Sequence, residues 1–301
     1  MLSPPSDGVV LDLTVGMGGH ARELLKHLQQ GRYIGLDQDA EALQHASLAL
    51  KGDPRVTLQK ANYADLLRVL QELKVPEVNS VLMDIGVSSL QLDSPERGFS
   101  FLNDGPLDMR MDAAQPLTAA QVVNSYSEEE LSRIIHEYGE DHKSRSLARA
   151  IARTREEKPF KTTSDLAQLA LRVLGKPRGK ESGKNPATRL FQAIRIEVNG
   201  ELDVLKTGLK DGLKALKPGG RIAVITFHSL EDRIVKQFFK TESTGCLCPP
   251  KLPMCVCGHK ASLKTVTGKP VTASDEELRE NPRSRSAKLR VAEKLSGEAA
   301  A

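Results

Sequence analysis

Cysteine is nearly absent from this sequence. The 301 residues contain four, all within residues 246–257. A secreted scaffold held by disulfides spreads its cysteines through the fold, so this distribution speaks against that class and predicts a reducing, cytoplasmic setting. Long apolar runs are missing too. No stretch approaches the roughly 18 residues of a membrane helix, so no membrane span is expected. The opening residues, Met1-Leu2-Ser3-Pro4-Pro5-Ser6-Asp7, show no basic segment leading into an apolar one and do not read as a secretory signal. Charge of one sign is scarce as well. The formal net charge is only +4, which neither demands nor excludes a polyanionic partner. The placement of the charges therefore matters more than their sum. No internal repeat is found.

What is present is a steady alternation of elements. Hydrophobic residues make up 39% of the chain, enough for a buried core. Short apolar runs at residues 8–13, 33–37, 56–60 and 78–85 read as buried strands, and three of them end near an acid: Asp12, Asp37 and Asp84. Residues 20–30, 39–50 and 63–73 carry apolar side chains at helical spacing between them. This rhythm predicts an open parallel α/β sheet. It stops at about residue 104. Up to residue 198 only helical periodicity is found, clearest at 127–138, 144–156 and 164–174. Ser127 with Glu130 matches a capping box well, and Ser164 with Ala167 matches it poorly. The alternation then resumes, with a helix at 201–216, a Pro218-Gly219-Gly220 stop, a strand at 221–227 and a helix at 230–240. Short runs at 263–266 and 288–292 are candidate last strands. The expected organisation is a sheet domain from residues 1–103 and 199–301, interrupted by an all-helical insertion at 104–198.

Gly16-Met17-Gly18-Gly19-His20-Ala21 follows the first strand and fits G-x-G-x-x-A. Glycines there let the backbone turn sharply and approach a ligand closely. Asp37, ending the second strand about twenty residues on, is placed to accept hydrogen bonds from ribose hydroxyls. Nicotinamide cofactors and S-adenosylmethionine both carry that ribose. Asp12 separates the two: a carboxylate beside the loop repels a pyrophosphate and attracts a cationic sulfonium bearing an α-amino group. The charge logic favours S-adenosylmethionine. A nicotinamide-linked oxidoreductase and a purely structural glycine turn remain the competing readings, and a non-catalytic RNA-binding module that keeps the fold is a third.

Longer blocks then carry a resemblance. Residues 84–93 (Asp84-Ile85-Gly86-Val87-Ser88-Ser89-Leu90-Gln91-Leu92-Asp93), the segments Glu96-Arg97-Gly98-Phe99-Ser100-Phe101 and Asp104-Gly105-Pro106-Leu107-Asp108-Met109-Arg110-Met111-Asp112, and blocks at 188–196, 226–233 and 281–290 resemble the bacterial small-subunit ribosomal RNA cytosine-N4 methyltransferases. The likeness runs through essentially the whole chain. It implies a class I (Rossmann-like) methyltransferase sheet with an inserted helical substrate-recognition domain. It also implies S-adenosylmethionine as methyl donor and, as substrate, the exocyclic N4 of a cytidine in the decoding region of 16S rRNA, free or in the small ribosomal subunit. The resemblance places Gly18, Gly19 and His20 along the methionine side of the cofactor, Asp37 on the ribose, Tyr63 near the adenine, and Asp84 and Gln91 closing the site. Relatives usually carry a His-x-Pro-Val segment before the first strand, where this chain has Met1-Leu2-Ser3-Pro4-Pro5.

No catalytic residue is assigned from sequence, although Asp84 is the best-placed proton acceptor. The Ser3-Pro4-Pro5-Ser6 stretch resembles an amino-methyltransferase loop but lacks its aromatic residue and its position, and reads as a turn. Two basic clusters are candidates for phosphate contact. The first runs from Arg172 to Arg189 through Lys176, Arg178, Lys180 and Lys184, against the single acid Glu181. The second comprises Arg283, Arg285, Lys288 and Arg290. A solvated charged surface is the alternative for each. The pairs Cys246/Cys248 and Cys255/Cys257, with His259 nearby, offer either a tetrahedral metal site or reduced thiols without a metal.

Overall fold

The computed structural model describes residues 1–175, 185–249, 252 and 254–296. Among these, a mixed seven-stranded sheet comprises β1 (Val9–Asp12), β2 (Arg32–Asp37), β3 (Val56–Lys60), β4 (Val78–Asp84), β5 (Leu216–Thr226), β6 (Leu263–Thr265) and β7 (Lys288–Lys294), in the order β3-β2-β1-β4-β5-β7-β6. The first five strands pair in parallel. The last two depart from the parallel expectation, since β7 runs antiparallel to both β5 and β6. An antiparallel neighbour needs no crossover helix to return the chain to the same end of the sheet. Among the described residues, only the short helix Asp275–Glu280 and the 3-10 turn Pro282–Ser286 lie between β6 and β7.

Side-chain alternation explains why the sheet is covered on both faces. Val10 and Tyr33 point to one side, where they are buried with Ala21 and Leu25 of α1 (Gly19–Leu25) and Ala46 of α2 (Ala40–Ala49). Their chain neighbours Leu11 and Ile34 point to the other. There they meet Leu66, Val69 and Leu70 of α3 (Leu66–Glu72) and Leu205, Leu209 and Leu213 of the helix Glu201–Ala215. Burying a side chain of this size contributes roughly 1.5–3 kcal/mol before the cost of ordering it. The Pro218-Gly219-Gly220 stretch, expected to separate helix from strand, lies inside β5. Pairing steps from Val78–Leu216 to Ser80–Arg221, so the extra residues form a bulge.

Contacts divide the chain at Gly86 and Glu201. Met1–Gly86 and the chain from Leu202 onward form one unit, and Val87–Glu201 forms the other. The first division falls earlier than the sequence expectation of residue 104. Phe99, Leu107, Met109 and Met111, which precede the first strongly periodic helix, are buried with the helical core, and no 3.6-residue pattern marks them. That core is formed by Ala119–Ser125, Glu128–Glu137, Ser144–Glu157, Thr163–Leu174 and Ala187–Asn199. Ser127 and Glu130 make the expected capping box. The Ser164–Ala167 expectation is corrected: the cap is Thr162, whose hydroxyl accepts from the Asp165 backbone N–H while the Asp165 carboxylate accepts from Thr162. Asn199 ties the Asp104–Asp112 block down, accepting from the Met111 N–H at 2.8 Å and donating to the Met109 carbonyl at 2.8 Å. Among the described residues no helix is long and apolar enough to cross a membrane.

Candidate cofactor-binding site

Strand order reverses between β1 and β4, so the carboxyl ends of these neighbours flank a crevice of the kind in which open α/β sheets bind ligands. The sequence fills the ends with acids. β1 ends at Asp12, β2 at Asp37 and β4 at Asp84. The loop that follows β1 is laced to the same strands. The Leu13 N–H donates to the Leu82 carbonyl, the Val15 N–H to the Leu36 carbonyl, and the Asp84 N–H to the Thr14 hydroxyl at 2.7 Å. Gly18 then turns the chain into α1 with φ +84°, a backbone conformation that favours glycine. A Cβ on Gly19 would meet nothing within 4 Å, so that backbone borders open space. This is the geometry expected where a ligand approaches the main chain.

The three acids do different work. Asp37 accepts the Gly16 N–H on one carboxylate oxygen and the Asp39 N–H on the other, each at 2.9 Å. It therefore fixes the glycine loop and starts the turn into α2. Burial pushes its pKa upward against those two bonds. Asp12 is fully buried. It accepts from the Tyr33 hydroxyl at 2.6 Å and from the Thr14 N–H at 3.1 Å. Desolvation still raises its pKa to about 6. The charge argument from sequence thus applies to a carboxylate already held by the fold, so any attraction it exerts on a cation acts from beneath the loop.

Asp84 is the acid left open. Its Oδ2 lies 3.2 Å from Nε2 of His20, and its Oδ1 is buried with no hydrogen-bond partner. The hydrogen bond to Asp84 is the largest influence on His20 and raises its pKa, against desolvation. A buried acceptor without a donor costs free energy comparable to a lost hydrogen bond, and such atoms concentrate where a ligand supplies the donor.

Six of the seven residues expected at the cofactor belong to the sheet unit: Gly18, Gly19, His20, Asp37, Tyr63 and Asp84. Contacts join His20 to Asp84, and Asp37 to the glycine loop. Tyr63 opens the turn after β3, with its ring against the helix Glu201–Ala215. A Cβ on Gly208 would lie 2.6 Å from a ring carbon, so the close approach depends on that glycine. Gln91 belongs to the helical unit, where it is buried and its Oε1 accepts from the Ser88 N–H to close a capping box. Sequence reasoning missed Thr14 and Tyr33. A tyrosine inside a buried strand is the one signal that was available, because its hydroxyl needs a partner there.

The basic clusters separate. Lys176, Arg178, Lys180, Glu181 and Lys184 lie outside the described residues. In the second cluster, Lys288 and Arg290 are committed to Asp232 at 3.1 and 2.7 Å, while Arg283 and Arg285 are exposed on the turn before β7. Half of that cluster is therefore part of the fold.

These features can be set beside known proteins. The family model described as the MraW methylase family matches residues 1–295. A ribosomal RNA small subunit methyltransferase H from Carboxydothermus hydrogenoformans is 53% identical over 98% of this chain and 94% of its own length. Proteins of the same name from Syntrophotalea carbinolica and Caldicellulosiruptor saccharolyticus are 51% and 49% identical, over 98% and 96% of this chain and 94% of each relative. With the family model matched over nearly the whole length and relatives about half identical to it, the chain belongs to the MraW methylase family.

Proposed function

We propose that the chain transfers a methyl group from S-adenosylmethionine to the exocyclic N4 of a cytidine in the decoding region of 16S rRNA, acting in the cytoplasm on the free RNA or the small subunit. The observation that carries the catalytic part is the buried, unpartnered Oδ1 of Asp84 at the end of β4. S-adenosylmethionine, when bound, supplies a methyl group made electrophilic by its sulfonium. Gly18 and Gly19 would admit it against the backbone, Asp37 would hold ribose hydroxyls, and Tyr63 would border the adenine. Gln91 is the further contact the family resemblance suggests.

The N4 lone pair of cytosine is delocalised into the ring, so the amine is a poor nucleophile. The chain's task is to hold it in line and take up its proton. Positioning of this kind supplies up to about 7–11 kcal/mol. Asp84 can receive the amine N–H on Oδ1 while His20, on Oδ2, keeps the carboxylate from rotating. A base within an rRNA helix must be splayed out to reach such a site. Exposed basic residues such as Arg172 and Arg285 would hold the phosphates of the RNA.

The test is transfer of a tritiated methyl group to small ribosomal subunits, free 16S rRNA and DNA. The expected label is on RNA only and is recovered as N4-methylcytidine. Nicotinamide binding without any transfer would establish the oxidoreductase reading instead, and RNA binding without transfer would leave a non-catalytic module.

A further inference from the structure

The segment between α11 (Ser229–Glu242) and β6 has an unusual energetic problem. Its apolar side chains face solvent: Leu247, Leu252, Met254 and Val256 are 43–76% exposed. Among the described residues of 246–257 none belongs to a hydrophobic core, yet four thiols converge there. The sulfurs of Cys246, Cys248, Cys255 and Cys257 all lie within 4.8 Å of one another. Cys246 is 3.4 Å from Cys255 and 3.8 Å from Cys257, and Cys255 is 3.6 Å from Cys257. A disulfide needs about 2.05 Å, so these are not bonded pairs. A tetrahedron with zinc–sulfur bonds of about 2.3 Å has sulfur–sulfur edges of about 3.8 Å. The three separations among Cys246, Cys255 and Cys257 lie close to those edges, and the Cys248 sulfur is within 4.8 Å of each of them.

The backbone completes the pattern. The Leu247 N–H donates to the sulfur of Cys257, the Cys248 N–H to that of Cys246, and the Val256 N–H to that of Cys248, each at 3.4 Å. Four thiolates around one divalent cation leave a net charge of −2, which such N–H groups stabilise. In each Cys-x-Cys pair the central residue, Leu247 or Val256, is exposed, while both sulfurs of the pair join the cluster. His259 is not needed as a ligand. Its Nε2 lies 3.0 Å from the Thr241 carbonyl at the base of the loop, where the Ser262 N–H also donates to the Glu242 carbonyl.

We propose that Cys246, Cys248, Cys255 and Cys257 bind one zinc ion as a closed tetrathiolate site that holds the two Cys-x-Cys pairs together. With four protein ligands the ion has no open position, so the site is structural, and it stands apart from the methyl-transfer chemistry. The soft, tetrahedral donor set selects zinc over magnesium or calcium, and the alternative for such a set is iron.

Elemental analysis of the purified full chain tests this. One zinc per chain is expected, with four thiols titrating after denaturation in chelator. Cys246→Ser and Cys257→Ser should each retain less than a tenth of the zinc, whereas His259→Ala should retain all of it. Should the serine variants fail to fold, wild-type protein stripped of metal is titrated with cobalt(II), expecting the intense absorption of a tetrahedral thiolate complex at one equivalent. Four free thiols with no metal, two disulfides, one iron, or zinc that survives in the serine variants would each overturn the assignment.

Discussion

Carboxylates at the strand ends of the sheet unit and those at the helix starts of the helical unit sit in opposite electrical situations. In the helical unit, Glu130 is held below the usual carboxyl range by the Ser127 backbone N–H, and Asp104 by the Ser164 backbone N–H. These acids are ionised with donors in place, which favours the folded state. In the sheet unit, burial pushes Asp12 and Asp37 upward, and Asp84 keeps a buried oxygen without a donor. For Asp12 a rise to about 6 corresponds to about 3 kcal/mol held against folding at neutral pH. A fold selected for stability alone would not gather three such groups at one crevice. Strained electrostatics of this kind is characteristic of a site that awaits a ligand bearing donors or positive charge.

The comparison breaks most sharply at Asp84. Asp84→Asn keeps the shape and removes the acceptor charge. Methyl transfer should fall by about 10²- to 10⁴-fold, the span typical of a lost proton acceptor. S-adenosylmethionine affinity, measured alongside by calorimetry, should change far less. Equal losses in both would make Asp84 a cofactor ligand only, and unchanged turnover would remove it from the mechanism.

Asp12 gives the next largest effect, and its sign follows from the direction of the shift. Its pKa is higher folded than unfolded, so its favourable contribution is complete below the unfolded value near 4 and is lost as pH rises through about 6. Asp12→Asn cannot titrate. The unfolding free energy of the variant minus that of wild type should therefore climb by up to about 3 kcal/mol between pH 4 and pH 7. Urea melts at four pH values measure this, and a flat difference would mean that the desolvated carboxylate is not strained.

What could be read from the sequence follows the same divide. The strand-end acids were legible because each closes an apolar run and precedes a turn, a purely local signal. The helical insertion was legible from its periodicity. Features set by distant partners were not. The engagement of Asp12 by Tyr33 depends on β1 lying beside β2, and that of Lys288 and Arg290 by Asp232 depends on β7 returning antiparallel near α11. Thr162 escaped notice as a cap because the sequence pattern placed the helix start at Ser164. The start of the helical unit at Val87 was hidden because its first residues pack without a helical repeat.

Arg290 and Asp232 sharpen that lesson. Burial works to raise the Asp232 carboxyl, and its bonds to Arg290 and Lys288 more than reverse this, holding it below the usual range. Arg290→Ala leaves Lys288 as its remaining cationic partner. It should cost about 1.5–3 kcal/mol in a chemical melt, the range for hydrogen bonds to charged groups. A smaller loss is expected from Ser127→Ala in the helical unit, about 1 kcal/mol for an exposed N-cap. Its catalytic rate at low temperature should stay at the wild-type value, because the cap belongs to the stabilising class of polar groups.

Arg285 should give the smallest change and the one that separates surface from fold within a single basic block. It is exposed on the 3-10 turn Pro282–Ser286, five residues before the committed Arg290. Arg285→Ala should leave the melting curve within about 0.5 kcal/mol of wild type, as for most surface substitutions. Its effect should instead be in RNA binding. One lost phosphate contact weakens affinity a few-fold at low salt and reduces the slope of log affinity against log salt by about 0.7–0.9. Arg290→Ala should show the reverse pattern, a clear loss of stability with a salt slope unchanged once the protein is folded. If both variants weaken RNA binding alike and neither lowers stability, Arg290 faces the RNA despite its bond to Asp232, and the whole block from Arg283 to Arg290 is an interface.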